Sequence, residues 1–547
     1  MNAAAPPAHA HDNKQPGMHL ERGKHMRRAA LVIIANGICS AVSAAADASL
    51  LTTVAVPPAP AKQSVPTLTT VLVSGSTIYS TPRLFAAYRG QLGLSITREN
   101  ARAIVQALAE LYVSDGYIKP EIALDDSMTG QGVLRARVFE AQVTRVVYEG
   151  DDGRFRHALT RIGDDLAKSR PLRKDDIPQA LRRMRELAGV AVTGSTRRDP
   201  NTRNAYELVV DSDYSAVDGA VRINNRGTEQ VGPLFILGQL FANGLLGHEE
   251  KIGLIFAAAT DHDEYLGGGL YLDTPLGAGG TRANALLFSS HSAPNEAPVN
   301  LSDEYSRRRA TFKLTQPLRQ GSAGSLSGSI GFEADDLVID REGAPIREDR
   351  LRIAEAALRG GARAGAMQYS GSLQLRKGFD SFGGGLQAPD LSYDARRADF
   401  LLSQLSATAL RRFAQNWSVR FDLFAQHTGY VLPDSERFKI GGDRLGRGFE
   451  VAEIAGDRGL GGKLELRREL LNTGAFAGRL STYGFYDIGT AWKQDRPGSE
   501  SAATSGIGLA LQGAKLTGYL ELAAPLSGPD IEGQRHASVF GEISYRF

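Results

Sequence analysis

The stretch "WSVRFDLFAQ", Trp417 to Gln426, changes polarity at almost every step. Trp417, Val419, Phe421, Leu423 and Ala425 fall on one face of a strand, and Ser418, Arg420, Asp422 and Gln426 fall on the other with Phe424. A repeat of two is the side-chain period of a β-strand. The division recurs along the chain. Leu464, Leu466 and Leu470 alternate with Lys463, Glu465, Arg467 and Glu469, and Leu516, Gly518, Leu520 and Leu522 with Thr517, Tyr519 and Glu521. The last segment sets Val539, Gly541, Ile543, Tyr545 and Phe547 against Glu542, Ser544 and Arg546. About eleven such segments precede the glycine-rich stretch at Lys439, and about five follow it. A soluble sandwich also alternates, but its polar face meets bulk solvent and it runs to fewer strands. An even set of about sixteen antiparallel strands, apolar on one face and charged on the other, predicts a transmembrane β-barrel over residues 215–547. The charged face then lines a wet lumen, because each Arg or Lys facing hydrocarbon would cost about 2–4 kcal/mol at mid-bilayer.

The rest of the chain suits an exported protein. Arg22, Lys24, Arg27 and Arg28 precede the apolar segment Ala29–Ala46, which ends in small residues. That order predicts a signal peptide over residues 1–46, with Met18 and Met26 as alternative starts. The only cysteine, Cys39, lies inside it, so the mature chain carries no thiol. Residues 47–66 hold Pro57, Pro58, Pro60 and Pro66 and read as an extended linker. No later run of 18 apolar residues offers a spanning helix, which leaves a closed barrel as the way to cross a membrane. Lys plus Arg number 63 against 61 Asp plus Glu, a net charge of +2, too balanced for a nucleic-acid partner.

Two small α/β units fill the space between linker and barrel. In residues 67–142 a strand at Thr69–Gly75 precedes two helical stretches. The second of these has Thr97 as N-cap, Ile104, Leu108, Leu111 and Tyr112 on one face, and Gly116 just past its end. Two strands close the unit, giving the order β-α-α-β-β. Residues 143–214 repeat that order, with a helix after Asp175 that carries Ile177, Leu181, Met184 and Leu187 on one face. The repeat predicts duplicated modules.

Two local motifs stand out in the barrel region. "KIGGDRLGRGFE", Lys439 to Glu450, breaks the alternation and contains Arg447-Gly448-Phe449. Downstream, "STYGFYDIGTAW" holds Phe485, Asp487 and Gly489 at alternate positions. Ser481, Tyr483, Phe485, Asp487 and Gly489 share one face; Leu480, Thr482, Gly484, Tyr486 and Ile488 share the other, more apolar one. The apolar set is the better lipid face, so Asp487 points inward and a partner cation is physically reasonable.

Signal, two α/β units, barrel and both motifs together resemble the two-partner secretion transporters, or TpsB proteins, which are barrels with periplasmic POTRA domains. The resemblance covers residues 67–547. It implies that the loop carrying Arg447, Gly448 and Phe449 folds back into the barrel and acts as a gate. Its arginine would meet the wall motif of Phe485, Asp487 and Gly489. Tyr545 and Phe547 would serve as the C-terminal membrane-assembly signal. The implied partners are a large secreted exoprotein of haemolysin or adhesin type, outer-membrane lipids and the barrel assembly machinery. Two features depart from the family: Gly446 stands where valine is common, and the Pro-rich linker is a poor source for a plug helix.

Other function classes fit less well. An assembly factor that inserts other barrels shares the architecture but usually carries more POTRA units. A passive porin has no use for the two units or for an inward loop. For an enzyme, the chain lacks Gly-x-Ser-x-Gly, His-Glu-x-x-His and paired-cysteine motifs, and neither metal nor cofactor is expected. "GGKL", Gly461 to Leu464, has Asp457 and Leu464 where a phosphate loop needs Gly and Ser or Thr. "DHDEY", Asp261 to Tyr265, reads as an acid-rich turn.

Overall fold

The computed structural model describes residues 66–125, 129–228, 231–260, 263–277, 279–294, 303–321, 323–388, 395–472, 478–529 and 536–547. The expected signal peptide with Cys39, the linker up to residue 65, and Asp261 and His262 lie outside these residues.

The first α/β domain contains β1 (Thr70–Ser74), α1 (Thr81–Tyr88), α2 (Arg98–Ser114), β2 (Glu121–Asp125) and β3 (Val133–Phe139). Its sheet order is β1-β3-β2, with β1 parallel and β2 antiparallel to β3. Helix α2 starts where the Thr97 hydroxyl accepts the Asn100 N–H at 3.1 Å, a side-chain cap. From there Ile104, Leu108 and Tyr112 recur on one buried face. The second domain repeats the plan with β4 (Gln142–Gly150), α3 (Arg156–Lys168), α4 (Asp176–Arg185), β5 (Val190–Arg198) and β6 (Ala205–Tyr214), in the order β4-β6-β5. Leu159, Leu172, Met184 and Leu208 form its fully buried centre. This domain seats on the barrel mouth. Arg154 donates to the Gly244 carbonyl at 3.1 Å, Gln179 to the Gln320 carbonyl at 3.1 Å, and Arg161 pairs with Glu249 at 2.9 Å.

The wall begins with β7 (Val217–Asn224), β8 (Phe235–Asn243), β9 (Lys251–Ala259), β10 (Tyr265–Leu276) and β11 (Thr281–Ser292). Longer strands follow: β12 (Asp303–Gln320), β13 (Gly324–Arg341), β14 (Ala344–Ala364) and β15 (Met367–Phe379). A short β16 (Gly385–Gln387) pairs with β14, and β17 (Leu401–Phe413) and β18 (Trp417–Thr428) continue the wall. A separate hairpin, β19 (Phe438–Ile440) with β20 (Ile454–Gly456), belongs to the connection after β18. The wall resumes with β21 (Arg458–Asn472), β22 (Arg479–Trp492), β23 (Glu500–Gln512), β24 (Leu516–Ser527) and β25 (Ser538–Arg546). Apart from the three-residue β16, sixteen strands pair antiparallel in chain order, and β25 returns to β7 to close the barrel. Closure removes the unpaired edge that hydrocarbon would not tolerate.

The alternation sorts side chains between the two surfaces. Phe421, Leu464, Leu466, Ile488 and Leu520 are exposed on the outside, while Asp422, Asp487 and Glu521 are buried within. At the closing seam the backbones of Gly219 and Phe547 exchange hydrogen bonds of 3.2 and 3.1 Å. A Cβ at Gly219 would lie 2.6 Å from the Phe547 ring, so the seam needs glycine there. Tyr545 and Phe547 are exposed on the outer face with nearly parallel rings 6.5 Å apart.

The two surfaces predict different tolerances. Leu373 is exposed near the middle of β15, and its neighbour Gln374 points to the other side. Leu373→Arg is expected to destabilise the vesicle-inserted protein by about 2–4 kcal/mol, and Gln374→Arg by clearly less. Reversible urea unfolding followed by tryptophan fluorescence measures both.

Candidate functional site: the inward loop and its wall contacts

The connection between β18 and β21, residues 429–457, folds into the barrel. Its base is fixed by Asp457, which is fully buried and accepts the N–H groups of Leu432 at 2.8 Å and Gln494 at 2.7 Å. Gln426 of β18 adds bonds to the carbonyls of Glu436 at 2.8 Å and Asp457 at 3.1 Å. The β19–β20 hairpin then presents an apolar face, and Phe438, Ile440, Leu445, Phe449 and Ile454 cluster with Ala491 and Ala502 of the wall. Gly489 makes room for this face, since a Cβ there would lie 2.9 Å from Leu445 and 3.0 Å from Ile440. Gly448 passes equally close to β24, where a Cβ would meet the Ala524 carbonyl carbon at 3.0 Å and the Pro525 nitrogen at 3.1 Å.

Arg447 is carried to the wall by this turn. Its Nη2 and Nε donate to the two oxygens of Asp487 at 2.8 and 3.0 Å, a bidentate pair. The backbone N–H groups of Gly446 and Arg447 reach the same carboxylate, each at 3.2 Å. Gly446 has a φ of +83°, a left-handed conformation that disfavours a β-branched residue. Its N–H is fixed on Asp487. Nη1 of Arg447 donates to Glu521 at 3.1 Å and Glu465 at 3.3 Å. The guanidinium carbon lies 3.6 Å from the centre of the Phe485 ring, within cation–π range. All six motif residues thus meet in one place: Arg447 binds Asp487 and stacks on Phe485, Phe449 joins the apolar cluster, and Gly448 and Gly489 allow the close approach.

Three further participants escaped the sequence reading. Arg226, just past β7, donates to Glu521 at 2.6 Å and to the Arg447 carbonyl at 3.2 Å, lies over Phe540 at 4.1 Å, and pairs with Asp443. Tyr483 donates to Glu521 at 2.8 Å. Arg467 pairs with Glu465 at 2.9 Å. The cluster therefore sets Arg226, Arg447 and Arg467 against Glu465, Asp487 and Glu521, with Asp443 as a fourth, exposed carboxylate on Arg226. Arg447 and Asp487 are 5 % and 0 % exposed. Removing one partner of a buried pair leaves an uncompensated charge, at a cost of about 3–5 kcal/mol.

A second anchor holds the loop to another sector of the wall. Glu436 accepts two bonds from Arg376 of β15, at 2.9 and 3.0 Å, and both side chains are buried. Asp434 pairs with Arg347 of β14 at 2.7 Å. Elsewhere, Gly461–Leu464 lies inside β21, where the ladder with β18 and β22 leaves no phosphate-binding turn. Among the described residues no cluster of His, Cys, Asp and Glu is placed to hold a metal.

The architecture matches known proteins. The profile of the haemolysin secretion/activation protein ShlB/FhaC/HecB family matches residues 208–511, more than half of the chain. The outer membrane transporter CdiB of Dickeya dadantii (strain 3937) is 19 % identical over 472 residues, covering 85 % of this chain and 83 % of its own. The structure of CdiB from Escherichia coli superposes with a TM-score of 0.74 at 18 % identity, covering 90 % of this chain and 93 % of that one. CdiB from Acinetobacter baumannii gives a TM-score of 0.63 at 14 % identity, over 88 % of this chain and 90 % of its own. These likenesses show the shared fold. The chain belongs to the ShlB/FhaC/HecB family of haemolysin secretion/activation proteins, outer-membrane two-partner secretion transporters with periplasmic POTRA domains.

Proposed function

We propose that this transporter carries one large, unfolded exoprotein of haemolysin or adhesin type from periplasm to cell surface, and that the inward loop is its gate. Residues 67–142 and 143–214 act as POTRA domains that capture the cargo by adding its extended strand to a sheet edge. The edge strand β5, exposed from Thr193 to Arg198, supports this. Residues 215–547 conduct the chain. The observation that carries the gating reading is the buried contact of Arg447 with Asp487 at the tip of a loop that occupies the lumen. A passing polypeptide and the loop compete for the same space, so transit requires these bonds to break. The protein contributes no catalytic step, and cargo folding outside the cell draws the chain forward. Tyr545 and Phe547 act as the signal read by the barrel assembly machinery, and the apolar outer face meets outer-membrane lipids.

Charge exchange tests the gate. Arg447→Asp places a fourth carboxylate beside Glu465, Asp487 and Glu521 and is expected to impair secretion strongly, with the barrel still folded by its heat-modifiable migration. Adding Asp487→Arg restores one attractive pair, while repulsion from Glu465 and Glu521 remains, so secretion recovers only in part. Equal defects in the single and double variants would remove direct pairing as the explanation. Deleting the gene should trap one exoprotein in the periplasm and leave other outer-membrane proteins at normal levels. Broad depletion of those proteins would favour the assembly-factor reading.

A further inference from the structure

The loop has a second face, opposite the one packed on the wall. Ile440 and Leu445 are buried against the barrel, whereas Lys439 and Arg444 beside them are exposed towards the interior. Both line a lumenal cavity of about 600 Å³ that is also bordered by Arg309, Arg376, Arg437 and Glu436. The cations around this cavity are not equivalent. Arg376 is committed to Glu436, Glu355 and Glu333, at 2.9 to 3.3 Å. Arg309 is held by Asp335 at 3.0 Å, and Arg437 by Asp434 at 2.8 Å. Lys439 and Arg444 form no ion pair with any carboxylate among the described residues, and the Arg444 guanidinium lies 5.1 Å from the centre of the Phe424 ring. Two uncommitted positive charges thus share one chamber in the transport path.

We infer that Lys439 and Arg444 form a lumenal binding site for carboxylate side chains of the exoprotein in its extended, transiting form. The inference rests on the export reading and adds the chemistry of the cargo segment that the lumen holds. Confinement favours it, because a charge with no fixed partner in a protein-walled chamber gains more from an incoming counter-charge than a surface lysine does. Position favours it too, since the two side chains ride on the element that must yield to the chain. A small inorganic anion would satisfy the charge, but a chamber of this size takes several residues of extended polypeptide. The exoprotein is the polymer that a transporter of this family handles. Binding at the loop's free face would hold an acidic stretch against the gate while the Arg447 and Glu436 anchors still hold.

Fluorescence anisotropy of labelled decaglutamate with the detergent-solubilised full chain tests this directly. The wild type should bind decaglutamate in preference to decalysine and to a neutral Gly-Ser decapeptide. Lys439→Ala with Arg444→Ala should weaken binding about tenfold, and Lys439→Arg with Arg444→Lys should retain it. Arg363→Ala, an exposed cation near the end of β14, should leave it unchanged. Equal affinity in the wild type and the double-alanine variant, or equal binding of the neutral peptide, would overturn the site. Binding of lipopolysaccharide without binding of decaglutamate would also overturn it, in favour of an outer-leaflet phosphate. Secretion in the same strains separates the two ideas. The secretion defects expected of the Arg447 variants, together with no peptide binding by the wild type, defeat this site alone. Peptide binding with unaltered secretion in Arg447→Asp defeats the gate and leaves the site standing.

Discussion

One buried guanidinium organises the interior of this barrel. Arg447 arrives on a loop with no wall strand of its own, and its charge is neutralised by side chains from three strands: Asp487 of β22, Glu521 of β24 and Glu465 of β21. A buried ion pair is weak evidence for net stability, because desolvation offsets much of the attraction. Its strength lies in specificity. An arginine this enclosed has one acceptable position, and moving it without a substitute partner leaves several charges bare at once. The loop is therefore held by a contact that is costly to break halfway, a property that suits the proposed gate.

The closed wall makes such a contact possible. Alternation sends leucines, isoleucines and aromatic residues outward and collects carboxylates and guanidiniums within. The same rule that keeps charge out of hydrocarbon thus supplies the loop's anchors at no additional cost in lipid exposure. Two anchors in different wall sectors, Asp487 for Arg447 and Arg376 for Glu436, give the loop purchase on both flanks. Between them the loop's apolar residues pack on Ala491 and Ala502, where glycines at 448 and 489 admit the backbone. Electrostatics selects the position, and packing excludes water from it.

Much of this was legible in the amino-acid sequence, for a physical reason. A period of two survives in strands such as β18, β21, β22 and β24 because each residue has only two surfaces to choose from. Trp417–Gln426 alone separates the lipid face from the lumen face, and Asp487 could be assigned inward from its neighbours. The repeated β-α-α-β-β order was readable from Thr97 and the apolar stripe of Ile104, Leu108 and Tyr112. Pairing between distant inward charges was not. Glu465 and Glu521 lie on the polar faces that alternation marks, yet many inward charges share that property, and only the register of the closed sheet decides which meet. Arg226 sits in "NNRGT", a turn without periodicity, and nothing local distinguishes it from any other turn arginine. The Arg376–Glu436 anchor joins residues 60 positions apart through a loop whose fold no short window encodes.

The account's central claim is that Arg447 holds the loop inside the lumen. The most direct measurement is the distance distribution between spin labels on Val451→Cys, at an exposed loop position, and Leu509→Cys, on the outer face of β23, by double electron–electron resonance. The chain's single native cysteine, Cys39, is replaced by serine in both proteins, so labelling is selective. One narrow distance is predicted with Arg447 present, and a broad or second, displaced population with Arg447→Gln. The same narrow distribution in both proteins would contradict the claim, because something other than this arginine would then be holding the loop.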